Sequence, residues 1–164
     1  MDAWRNVLWQ QFGATLDMFE DSVNACPAKL WETEAPTRPF GYWVYHTLFF
    51  LDFYLSDAAR DFSPPTPFGL SELNREGEQP ERIFTKTELL DYLQHCRQKC
   101  QRKIASLTDE TAHQLSAVRS RQLSVAELLL YNLRHVQHHI GHLNTILRQR
   151  TDSAPVWVGR ARNS

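Results

Sequence analysis

The chain has 164 residues and a formal net charge of −1. That length suits one compact domain with a full core, and that charge supplies no overall field to recruit nucleic acid or an acidic membrane surface. Three cysteines without a disulfide-like spacing suit a reducing cytoplasm. The N-terminus lacks a signal-peptide core, and nothing approaches the roughly 18 consecutive apolar residues of a spanning helix.

From Asp2 to Cys26 the apolar residues Trp4, Val7, Leu8, Phe12, Leu16, Phe19 and Val23 recur at threes and fours. This spacing predicts a helix, which Pro27 stops. Residues 27–38 read as a connection. Pro39 suits the first turn of a second helix, expected over Phe40 to Asp61, whose stripe of Tyr42, His46, Phe49, Phe50 and Phe53 embeds one histidine among aromatics. Residues 62–84 hold four prolines and two glycines. So long a connection can cross a bundle, letting the next helix run parallel to the last, and can cover a site as a lid.

Thr85 with Glu88 forms a capping box opening a third helix to about Leu107, with Leu89, Leu93, Cys96, Cys100, Ile104 and Leu107 inward. Cys96 and Cys100 read as core, and the basic RQKCQRK run as a solvated face. After a polar connection, Ser124 with Glu127 caps a fourth helix reaching about Arg150. No strand pattern of useful length occurs. The expected fold is all-α, with four long helices in one domain over residues 1–150 and a tail over 151–164 that ends in a basic, frayed RARN.

The fourth helix contains YNLRHVQHHIGHLN, Tyr131 to Asn144, with four of the seven histidines. His135, His138, His139 and His142 lie three and four residues apart, on one side of a helix. With His135 at zero, the helix's apolar residues centre near 70°, His139 lies at about 40°, and His142 and His138 fall to about −20° and −60°. The i, i+4 pair His135 and His139 therefore faces inward. Two imidazoles so spaced can close on one metal ion. His46 is the only other histidine in an apolar helical face and is the natural third ligand, although a hydrogen-bonded core histidine would look the same in sequence. Three neutral imidazoles leave positions open, as catalytic sites do. Zinc and nickel both accept such ligands.

His138 and His142 fall toward the rim. Asn132, one turn before His135, is a candidate to orient a ligand. Tyr42, Trp43 and Phe49 are candidates for the pocket wall. Val136 occupies the glutamate position of HExxH, which argues against a zincin, and the paired carboxylates of di-iron bundles are missing.

YNLRHVQHHIGHLN resembles the signature of the DinB-like (YfiT-like) superfamily of metalloenzymes, GYWVYHTLFFLDFYL resembles its second helix and TKTELLDYLQHCRQKC its third. The resemblance implies an up-down-down-up four-helix bundle with a long crossover between the second and third long helices. It also implies a divalent metal on His46, His135 and His139. Ile140-Gly141-His142 departs from the Arg-Gly-Gln often found after the His-His pair. Characterised relatives include transferases and isomerases that use low-molecular-weight thiols. The expectation is a metal-dependent thiol transferase or hydrolase acting on a small molecule, with no nucleic-acid or membrane partner. The aromatic surplus is compatible with a homodimer. The alternative is a non-catalytic bundle that binds a metal or small molecule.

Overall fold

The computed structural model describes residues 2–35, 38–74, 80–118 and 122–162. Parts of the expected connections (36–37, 75–79 and 119–121) and the last two residues of the expected tail lie outside them. The described chain is mostly helical, in the order α1 (Asp2–Ala25), α2 (Ala28–Trp31), β1 (Glu34–Ala35), β2 (Arg38–Pro39), α3 (Phe40–Tyr54), α4 (Lys86–Ala105), α5 (Asp109–His113) and α6 (Val125–Thr151). The two strands pair antiparallel over two residues each. No helix among the described residues is long and apolar enough to cross a membrane.

The four long helices touch in a closed ring, α1 on α6, α6 on α3, α3 on α4 and α4 on α1. Their apolar stripes meet in one core that includes Phe12 and Phe19 of α1, Leu48 and Leu51 of α3, Leu93 and Cys96 of α4, and Val136 and Leu143 of α6. Cys26, Cys96 and Cys100 are all buried and free. Burial pushes the thiols of all three up, that of Cys26 to about 11. Capping boxes open α4 at Thr85 and α6 at Ser124, each satisfying otherwise orphaned N–H groups of the first turn.

Helix α3 is shorter than the spacing predicts, ending at Tyr54 instead of Asp61. The last four carbonyls of a helix need partners from outside it; here the Leu55 and Ser56 N–H groups serve Asp52 and Phe53 locally, and distant helices add donors to Leu51 and Asp52. The buried Asn132 of α6 donates its amide N–H to the Leu51 carbonyl at 3.0 Å. Lys99 of α4 donates to the Asp52 carbonyl at 3.0 Å and also to the Asp52 side chain. A cation at a helix C-terminus also complements its dipole. The Asp52 carboxylate is fully buried and accepts the Tyr92 hydroxyl at 2.9 Å.

The expectation of a solvated basic face on α4 is corrected by these contacts. Arg97 pairs with Asp17 and Glu20 of α1, Lys99 with Asp52, and Lys103 with Asp57. The stems of Lys99 and Lys103 lie far enough inward for their ammonium groups to reach Asp52 of α3 and Asp57 just after it.

The tail is not frayed over its described length. Asp152 takes a left-handed conformation (φ 55°) that ends α6, a conformation Asp tolerates better than most residues. The chain then returns to α1, where the Ala161 N–H bonds the Gln10 carbonyl and the Arg162 N–H bonds Asp17 Oδ2. Gly13 makes the approach possible, since a Cβ there would stand 2.5 Å from that of Ala161.

Removing a partner from a buried ion pair leaves an uncompensated charge, at a cost of about 3–5 kcal/mol. Asp52→Ala is expected to lose a stability of that order in urea unfolding. Asp57→Ala, whose side chain is 93% exposed, is expected to lose less than about 1 kcal/mol.

Candidate metal centre

The burial of the α6 histidines follows helical phase. His139 is buried, His135 and His142 are partly buried, and His138 is exposed. Facing them, α3 presents His46 one turn after Tyr42 and Trp43. The His46, His135 and His139 rings form a triangle with centroid separations of 5.9, 5.0 and 4.6 Å. One ring nitrogen from each falls within 4.8 Å of the others. Metal–imidazole bonds of about 2.0–2.1 Å are within reach of such a group.

Electrostatics point the same way. Burial first, then the proximity of His135 and His46, lowers the His139 pKa to about 3. The ring stays neutral at any ordinary pH, and its lone pair is available to a cation rather than to a proton. Its Nδ1 is buried without a hydrogen-bond partner, a position that ordinarily costs about 1–3 kcal/mol. A neutral, half-satisfied imidazole beside two more is a donor set that fits a divalent ion. His142 is also lowered, by burial and then by His138.

Aromatic side chains enclose the triangle. Trp43 stacks on His139 at 5.8 Å and meets His142 edge-on at 5.0 Å. Tyr42 lies 6.1 Å from His46. The opposite wall is Phe50, 4.9 Å from His46 and 5.8 Å from His135, with Tyr54 5.7 Å from His135. Phe49 does not take this place. It is fully buried against Tyr45 and Phe62, because position i+3 from His46 turns about 60° one way round the helix while i+4 turns about 40° the other. The Asn132 amide N–H goes to the Leu51 carbonyl, while its buried Oδ1 has no hydrogen-bond partner. His138 stands at the rim, 5.2 Å from His139. Beside His135 an open hollow of about 510 Å³ is lined by Tyr131, Arg134, His135, Gln137 and His138.

One residue at the centre escapes sequence reasoning altogether. His46 Nδ1 lies 2.6 Å from Glu72 Oε2, with the Glu72 side chain only 4% exposed. Glu72 sits in a short 3₁₀ turn, Ser71–Leu73, within the long crossover. Its one signal is that it is the only acid between Phe62 and Asn74.

A helical protein whose two facing helices bring three imidazoles together defines a class, that of helical bundles with a candidate three-histidine metal centre. The profile of the DinB superfamily matches residues 11–143, a span that contains all three histidines, and the chain belongs to that superfamily. No curated protein matches it.

The low His139 pKa has a stability consequence in the metal-free protein. An unfolded histidine takes its proton near 6.5, the folded one near 3. The stability gained by keeping the ring neutral is therefore complete above about pH 6.5 and is lost as the pH falls toward 3. Urea unfolding of the wild type and His139→Gln between about pH 7.5 and 4.5 checks this. The wild type should lose stability relative to the variant as the pH drops, and a constant difference would show that the ring is not held neutral.

Proposed function

We propose that this protein is a divalent-metal-dependent enzyme acting on a small molecule, with His46, His135 and His139 as the protein ligands. The observation that carries the reading is the convergence of three imidazoles, of which His135 borders an open hollow, a set that leaves coordination positions for water or substrate. Zinc or nickel suits the all-imidazole donor set. A divalent ion held there supplies Lewis acidity, which lowers the pKa of a bound water or thiol.

The chain's own residues do the rest. His135 and His139, one helical turn apart, fix two donor positions relative to each other. Trp43, Phe50 and Tyr54 keep bulk water from the inner side, which strengthens electrostatic interactions at the centre. The hollow beside His135 admits substrate, with Arg134, Gln137 and His138 as polar groups at its edge. Thiol transfer from a low-molecular-weight thiol is preferred to hydrolysis, by analogy with thiol-using relatives.

We also infer the up-down-down-up bundle order. Leu48 and Asp52 of α3, and Asp57 just beyond its end, meet Cys96, Lys99 and Lys103 of α4 in step. By contrast Trp43, Phe50 and Tyr54 meet His142, His135 and Tyr131 in reverse along α3 and α6. A cytoplasmic, homodimeric protein completes the proposal. Its buried free thiols suit a reducing compartment, and Trp4 and Val7 leave apolar surface exposed on α1.

Native metal content measured by mass spectrometry should give one divalent ion per chain, lost in His139→Ala and in His46→Ala. Unchanged stoichiometry in either variant overturns the ligand set. A panel of low-molecular-weight thiols against model electrophiles should then show turnover that a chelator abolishes and added metal restores. Metal binding without such turnover would favour a structural or sensing centre.

A further inference from the structure

The proposed centre is built asymmetrically. His135 and His139 share a helix, and their separation is fixed by its pitch. His46 comes from α3 alone, and nothing in α3 itself sets the rotation of its ring or chooses which nitrogen carries the proton. We propose that Glu72 makes that choice: its carboxylate accepts the Nδ1–H of His46, holds the ring in one tautomer and orientation, and leaves Nε2 as the nitrogen that serves the metal. The inference rests on the metal reading and deepens it by assigning a positioning residue from the crossover.

The chemistry is directional. An ionised carboxylate only accepts hydrogen bonds, whereas a neutral imidazole has one donor and one acceptor nitrogen. With an ionised carboxylate 2.6 Å from a neutral His46 ring, Nδ1 is the donor and the lone pair is on Nε2. Glu72 is not itself in the convergent group, which comprises the three histidines. It acts through His46, as the outer carboxylates of metal sites orient ligand imidazoles and raise their basicity.

The turn that carries Glu72 is well supported. The Leu73 N–H bonds the Leu70 carbonyl and the Asn74 N–H bonds that of Ser71, each at 3.0 Å. Just upstream, the Tyr45 hydroxyl donates to the Gly69 carbonyl at 3.2 Å, and Phe68 stacks on Tyr92 at 4.3 Å. Tyr42, one turn before His46, borders the same carboxylate. Burial, then the Glu72 charge, raises its hydroxyl to about 12, keeping it a neutral donor at the carboxylate's side. Glu72 Oε1 has no partner of its own and is buried. Holding a carboxylate there is costly for stability alone and intelligible if orienting a ligand is its role.

Two readouts test this without recourse to activity. The first is metal affinity by chelator competition on the wild type, Glu72→Gln and Glu72→Ala. Loss of the outer partner is expected to weaken binding about 10–100-fold in Glu72→Ala, with Glu72→Gln, which keeps an acceptor oxygen, in between. The second is ¹⁵N NMR of the His46 ring in the metal-free protein, expected to show the Nδ1–H tautomer in the wild type and a tautomer mixture in Glu72→Ala. Should Glu72→Ala fail to fold, Glu72→Gln carries both readouts. A wild type with Nε2–H, or an Ala variant that keeps both the tautomer and its affinity to within about twofold, overturns the role of Glu72 alone. A wild type that takes up no metal overturns the proposed function instead.

Discussion

The geometry of the centre depends on how the C-terminal end of α3 is fixed inside the bundle. Two polar ties hold it there, the Asn132 amide on the Leu51 carbonyl and the Lys99–Tyr92 clasp on Asp52. Both join buried groups that would be expensive to leave unpaired, so they set the register of α3 against α6 and α4 as well as its endpoint. His46 lies five residues before Leu51, and His135 three residues after Asn132. A slip of one residue between α3 and α6 would rotate His46 by about 100° and separate it from the pair on α6. The metal-competent triangle is in this sense a by-product of the way one helix is ended.

Within that frame the centre divides its requirements among different parts of the chain. Helix pitch supplies the spacing of two donors, and aromatic bulk supplies exclusion of water. The crossover supplies a carboxylate beside His46. Clustering several histidines also discourages protonation, because each ring disfavours positive charge on the next. The His139 pKa is lowered by its neighbours as well as by burial. A ring held neutral beside further imidazole lone pairs is predisposed toward a metal cation.

What the sequence reveals and conceals follows from the range of the interactions involved. The inward turn of His135 and His139 is legible because it depends only on helical phase, and His46 because it interrupts an aromatic stripe. Both capping boxes are legible because all their partners lie within four residues. The end of α3 is not, since Asn132 and Lys99 are 81 and 47 residues away from the carbonyls they satisfy. Glu72 is hidden for a related reason. It lies in a proline-rich stretch without periodicity, and only the folded crossover brings it to His46. The return of the tail to α1 likewise depends on a single close approach at Gly13, which leaves no pattern in the chain.

The burial of the cysteines acquires a further meaning under the thiol transfer proposed above. An enzyme that joins a thiol to an electrophile risks being alkylated by its own substrate. Here Cys96 and Cys100 are sealed in the core and Cys26 is 2% exposed, and burial favours the protonated form of each. Thiolate, not thiol, is the reactive species. The chain therefore offers no competing nucleophilic cysteine of its own to the external thiol and the acceptor of the proposed reaction.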